Sequence, residues 1–154
     1  MKNFASVLLL ILIILASCSK KATKDDTLSI TKSGGKGYPN SDMVAQYGAL
    51  KLEGVSNDPT IGYTESNPIL VSDGNQMNAS KRSSMYLNAL RDKDGKRVYF
   101  ERIGSCCPFK NDALLMGGGL LDKYLVRTED GKETVLYVNM YLSGKLLAPV
   151  GFFY

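Results

Sequence analysis

Hydrophobic and polar positions divide the chain into three stretches of different character. Val7 to Leu15 is an unbroken run of nine apolar residues, preceded by the cation Lys2. A run of this length suits a signal-peptide hydrophobic region and falls well short of the roughly 20 residues a membrane-spanning helix needs. Residues 19 to about 44 are rich in Lys, Ser, Thr, Gly and Asp, with almost no apolar period. They cannot bury enough surface to offset the entropy of ordering, so a flexible spacer is expected. From residue 45 onward apolar positions recur regularly, which predicts a single folded domain over 45–154 with one modest core.

Within the folded stretch the period changes along the chain. Ile69-Leu70-Val71, between the turn-rich Gly62 to Pro68 and Asp73-Gly74, predicts a short strand. Met85 with Ala89 and Tyr86 with Leu90 lie four apart, which predicts a helix over 83–91, capped by Ser80 or Ser83 and stopped by Asp94-Gly95. From Lys96 the spacing turns to alternation, Val98 and Phe100 against Tyr99 and Glu101, giving a strand that runs towards Gly104. Leu120 to Thr128 and Thr134 to Leu142 are β-rich runs joined by Glu129 to Glu133, a connection suited to a hairpin with Gly131 at positive φ. Leu136, Val138, Met140 and Leu142 share one face of the second run, which should be buried. Pro149 confines the last run, Lys145 to Ala148, to a sheet edge or its end. The predicted class is α+β: a small antiparallel sheet with a C-terminal hairpin and one short packed helix, preceded by a signal peptide and a flexible tether.

Cys18 gives the apolar run its meaning. It closes Leu15-Ala16-Ser17-Cys18, where small residues suit a peptidase and the cysteine offers the thiol for diacylglycerol. The expectation is a lipoprotein signal peptide over 1–17, lipidation at Cys18 and a lipidated tether over 18–44. A second acyl group such as palmitate would give the two-chain anchoring that holds a protein stably on a membrane. Ser19 stands where an Asp would signal inner-membrane retention in enteric bacteria, so an outer-membrane anchor facing the periplasm or the cell surface is expected. Lys24-Asp25-Asp26 is similar to the surface-export tag of Bacteroidetes lipoproteins.

Charge follows the same division. The net charge of +4 comes from the first 36 residues, which hold six basic and two acidic side chains; the remainder carries 13 of each. The surplus lysines lie in the signal and tether, where they can meet anionic headgroups, and the neutral domain offers no basic face for nucleic acid.

Candidate chemistry centres on Cys106 and Cys107. With Cys18 acylated they are the remaining thiols, in a compartment where oxidation is usual. On a continuous strand adjacent side chains point to opposite faces, which favours reduced structural cysteines. A vicinal disulfide, a functional thiol or an intermolecular bridge are the alternatives. Two adjacent thiols supply half a tetrahedron, so no metal site is expected, and no cofactor. The chain has no histidine, which excludes Ser-His-Asp and Cys-His catalysis in their usual forms. Acid–base work would fall to Glu53, Glu65, Glu101 or Asp122, each expected to be a solvated carboxylate, and no catalytic residue is assigned. Gly117-Gly118-Gly119 is expected to form a flexible or bulged strand entrance, not a phosphate loop, since no lysine follows. Asp92-Lys93-Asp94-Gly95 fails as a calcium loop, because its twelfth position is Ile103. Tyr99, Tyr124, Tyr137 and Tyr141 fall on predicted strands, with core packing as their default role and ligand binding the alternative.

Several segments together carry a resemblance: Gly62-Tyr63-Thr64 with Asn67-Pro68-Ile69, Tyr86-Leu87-Asn88-Ala89-Leu90, Gly104-Ser105-Cys106-Cys107-Pro108-Phe109, Gly118 to Asp122, and Leu136 to Tyr141 with Ala148 to Phe152. From Gly62 to its end the chain resembles a small family of Bacteroidetes and Flavobacteria lipoproteins with no established biochemical role. Relatives sometimes carry the label 2-dehydro-3-deoxyphosphooctonate aldolase. Such aldolases are barrels of about 250 residues that work in the cytoplasm, and neither their eight βα units nor their location suits this chain. The expected function is a non-enzymatic binding or accessory module for an envelope protein, peptide or glycan. The alternative is an enzyme, thiol-dependent at Cys106 and Cys107 or the labelled aldolase.

Overall fold

A computed structural model describes residues 46–154. The expected signal peptide, Cys18 and the tether over 18–44 lie outside the described residues. The elements are β1 (Gly54–Val55), β2 (Ile69–Leu70), α1 (Ala79–Ala89), β3 (Tyr99–Lys110), β4 (Gly118–Arg127), β5 (Glu133–Asn139) and β6 (Leu147–Ala148). β3, β4 and β5 form an antiparallel meander, β2 joins the far edge parallel to β5, and β1 with β6 makes a separate two-stranded parallel ladder. The class is α+β, as the alternation and the single helical period predict; the parallel pairing of β2 makes the larger sheet mixed.

Burial follows the pleat. Phe100, Tyr124, Val126, Leu136 and Val138 point to the sheet face that packs with Tyr86, Leu87 and Leu90 in one apolar cluster. The segment from Leu50 to Ser56, which includes β1, straps this layer: Leu50 N–H donates to the Met85 carbonyl (3.0 Å) and Ser56 N–H to the Ala148 carbonyl (2.8 Å). The Tyr86 hydroxyl, deep in the core, donates to the Leu147 carbonyl at 2.6 Å, so the helix also holds β6.

Helix α1 begins and ends earlier than its apolar period predicts. Neither Ser80 nor Ser83 caps it; Asn75 caps the preceding 3-10 turn by accepting from the Met77 N–H (3.1 Å), and α1 continues from there. Its first turn is polar because it faces outward, with Arg82 clipped to the Val71 carbonyl (2.6 Å) and to Asp73 (3.3 Å). A turn that buries no apolar group leaves no mark in an apolar period. The other end stops at Ala89, before Asp94-Gly95, because Leu90 turns extended and Arg91 exchanges both backbone hydrogen bonds with Phe153 (2.8 and 2.9 Å). Pairing with the chain's last residues overrides helix continuation. Asp94-Gly95 instead turns the chain towards β3, around the buried Asp92, whose carboxylate accepts from the N–H groups of Asp94 and Lys96 (2.9 Å each).

Two strand boundaries also differ. β3 runs past Gly104 to Lys110 because two bulges absorb the residues that break its alternation. β5 ends at Asn139, short of Met140 and Leu142, which are only half-buried. Asn139 stops it: its side-chain oxygen accepts from the Tyr141 and Leu142 N–H groups (2.9 and 3.0 Å), drawing the backbone out of the ladder.

The turn before β2 is fixed by the Asp58 carboxylate, which accepts from the Thr60 hydroxyl (2.7 Å), the Thr60 N–H (2.8 Å) and the Asn67 side-chain amide (2.9 Å). The Thr60 hydroxyl, then its N–H, hold the Asp58 carboxyl below its ordinary value of 3.8, and Asn67 adds to this. A folded-state pKa below the unfolded one stabilises the turn above the ordinary carboxylate range, and that contribution is lost as pH falls through the folded value. We expect the Thr60 and Asn67 amide resonances to move only at pH below about 4, and Asp58→Asn to abolish that movement; an Asp58 titrating at its ordinary value contradicts the assignment.

Candidate functional site

The long edge strand β3 carries Tyr99, Glu101, Cys106 and Cys107 among the candidate groups. Its first half, with β4 behind it and α1 beside it, lines a cleft of about 400 Å³. Ser80 and Ser84 contribute from α1, Tyr99, Phe100 and Arg102 from β3, and Tyr124 from β4. Tyr124 meets Phe100 edge-on, with centroids 6.2 Å apart and planes at 73°. Burial pushes the Tyr124 phenol above its usual range, the charge of Asp122 adds to that, and a hydrogen bond with Ser83 opposes it. The ring is thus a neutral, fixed wall.

Asp122 is the residue the sequence placed wrongly. Expected as a solvated carboxylate, it is 1% exposed, on the same pleat face as Tyr124 and Val126. Its Oδ1 accepts from Arg102 Nη2 and from the Ser105 hydroxyl, both at 2.8 Å. A bulge at Ile103 makes this possible. Arg102 opposes Tyr124, so an unbroken ladder would set Gly104 against Asp122; one extra residue sets Ser105 there instead. The Asp122 hydrogen bond and charge raise the Arg102 pKa and hold its guanidinium, half exposed, at the cleft. Arg127 is paired in the same way with Glu133, Nε to Oε1 at 2.6 Å. Both arginines therefore carry their own counterion, and with Glu101 also on the lining the cleft holds no surplus positive charge.

Cys106 and Cys107 form a vicinal disulfide, with Cα atoms 3.7 Å apart, and are not the reduced pair that strand geometry favoured. The rule of opposite faces fails because β3 is not continuous there. The register slips between Cys106 and Pro108, and Cys107 takes φ of +57°, the left-handed region that non-glycine residues seldom enter. Cys106 opposes Leu121, on the sheet face away from Asp122. That second face has its own packing. Phe109 meets Tyr141 with centroids 5.9 Å apart, and a Cβ on Gly119 would lie 2.7 Å from the Tyr141 ring, so the glycine is the seat of the ring. The strand entrance expected at Gly117 to Gly119 begins β4 at Gly118 without a bulge, since Gly118 and Gly119 pair in register with Lys110 and Phe109.

The other carboxylates separate. Glu53 accepts the Leu146 N–H (3.3 Å), a structural contact across the strap, and Glu101 lines the cleft. Glu65 lies beside the disulfide, its carboxylate oxygen and the two sulfurs all within 4.8 Å of one another. Of the four tyrosines, Tyr124 and Tyr99 line the cleft, Tyr137 is half-buried, and Tyr141 lies beyond β5 on the Phe109 side. Arg102 and Ser105 escaped sequence reasoning. A signal for them existed: Asp122 sits in phase with Tyr124 and Val126, and a carboxylate on a buried face requires a donor across the ladder. Compared with models of protein families, curated proteins and solved structures, the chain has no match, and the functional reading rests on these residues.

Proposed function

We propose that the protein is a lipid-anchored module of the cell envelope that binds a neutral oligosaccharide in the cleft between α1 and β3. The observation that carries this reading is the pairing of aromatic walls with charge-balanced polar groups. Tyr99 and the largely buried Phe100 and Tyr124 supply the aromatic lining, and Ser80, Ser84 and Arg102 supply hydrogen-bonding groups to it. Sugars present CH faces and hydroxyls together and carry no charge, which is the chemistry this lining complements. A phosphorylated sugar would need unpaired cations, and both cleft arginines are neutralised by carboxylates. That balance, with the small size of the domain, weighs against aldolase chemistry. The anchor is supported by the apolar run and Cys18, and outer-membrane placement by Ser19.

The test is calorimetric titration of the full chain in detergent with neutral oligosaccharides of several linkages, a phosphorylated sugar and short peptides. We expect saturable binding of a neutral oligosaccharide, weakened at least about fivefold by Tyr99→Ala, since a stacked aromatic contributes on the order of 1 kcal/mol or more. Binding of the phosphorylated sugar or the peptides alone, or neutral-sugar binding untouched by Tyr99→Ala, overturns the reading.

A further inference from the structure

The disulfide on the opposite sheet face has features that a structural cross-link lacks. It joins neighbours in sequence, so it closes almost no loop and removes almost no entropy from the unfolded chain. Its sulfurs belong to half-buried residues on an edge strand, outside the core cluster, and it accompanies a non-glycine residue at positive φ. Glu65 stands beside it on a turn that is itself fixed. Thr64 N–H donates to the Thr60 carbonyl (3.2 Å), Asn67 N–H donates to the Thr64 carbonyl (3.2 Å), and Asp58 clamps the turn from below. Two sulfurs and one carboxylate oxygen from segments some 40 residues apart thus converge within 4.8 Å. Adjacent cysteines alone supply half a tetrahedron; Glu65 adds a third corner and leaves the fourth for water.

The geometry points to Glu65, Cys106 and Cys107 as a redox-gated site for a thiophilic divalent cation of the zinc and cadmium class. While the disulfide is closed, neither sulfur is a thiolate and the site cannot take a metal. A dithiol reductant opens it by exchange. One reductant thiolate attacks a protein sulfur and forms a mixed disulfide as the Cys106–Cys107 bond breaks. The second reductant thiol then displaces that bond, so two electrons and two protons pass to the protein and the reductant leaves as its own disulfide. Metal binding releases the two thiol protons and forms two metal–sulfur bonds and one bond to the ionised Glu65. Thiolate ligands favour zinc or cadmium over magnesium or calcium. The site lies across the sheet from the cleft, so its failure leaves the oligosaccharide reading intact.

The experiment uses the full chain carrying Cys18→Ser, in which Cys106 and Cys107 are the only cysteines. Cadmium is titrated before and after reduction by a phosphine that is then removed without air, and the sulfur-to-cadmium charge-transfer absorption and bound metal are read. The expected result is no charge-transfer band before reduction and one cadmium per monomeric chain afterwards, not displaced by excess calcium. Glu65→Gln should keep the band but weaken binding at least about tenfold, and Cys107→Ser should abolish tight binding. Glu65 is exposed, so its replacement leaves the fold unchanged, which circular dichroism verifies. Cadmium held equally well by Glu65→Gln, shared between two chains, or not bound after reduction overturns the proposal.

Discussion

Leu136→Ala is expected to destabilise the domain by about 2–5 kcal/mol, the largest loss from any single truncation proposed for this chain. Leu136 lies within β5, which has β4 on one side and β2 on the other, and its side chain is fully buried in the cluster shared with Tyr86, Leu87 and Tyr124. Removing three carbons there forfeits the transfer energy and leaves a cavity, because the strand is held on both sides and cannot collapse into the space. Leu115→Ala serves as the control, since Leu115 is 91% exposed and should change stability by less than about 0.5 kcal/mol. Chemical denaturation of both variants measures the difference. A Leu136→Ala loss under about 1 kcal/mol would mean that β5 is not at the centre of the sheet.

Cys18→Ser is expected to have the largest effect in the cell: essentially complete loss of labelled fatty-acid incorporation, and movement of the chain out of the lipid-anchored membrane fraction. In the proposed lipid anchoring the Cys18 sulfur would accept diacylglycerol, and a hydroxyl would not replace it in that transfer. Each buried methylene of the acyl chains contributes about 0.8 kcal/mol to membrane partition, so removing the anchor removes many such increments together. Labelled fatty acid on the variant would show that the attachment point lies elsewhere.

What the sequence revealed and what it concealed differ in kind. The β4–β5 hairpin was legible because two β-rich runs flank Gly131 and their buried residues, Tyr124 with Val126 and Leu136 with Val138, recur two apart, the period of a pleat with one face in the core. α1 was legible from its inner face and illegible at its ends. Its start is polar, and its stop is imposed by Phe153, a residue more than 60 positions away. β1, two residues long, carries no periodic signal, whereas β6 falls within the run Lys145 to Ala148 that Pro149 confines to a sheet edge or its end. The second half of β3 was hidden by its own chemistry. Gly104, two cysteines and Pro108 read as a break, and the bulges that accommodate them are what carry Ser105 to Asp122 and Cys107 to Cys106. The candidate sites therefore depend on local departures from the alternation by which strands are recognised. Glu65 beside the sulfurs is a purely tertiary juxtaposition, with nothing in the spacing of residues 65 and 106 to announce it.

The most direct test of the central claim, that the cleft between α1 and β3 holds a neutral oligosaccharide, is backbone amide mapping by nuclear magnetic resonance during titration of the isotopically labelled chain with the oligosaccharide that binds. Shifts should gather at Ser80, Ser84 and Tyr99 to Arg102, with Glu65, Cys106 and Cys107 unmoved. Shifts centred on the disulfide face, or scattered without saturation, would contradict it.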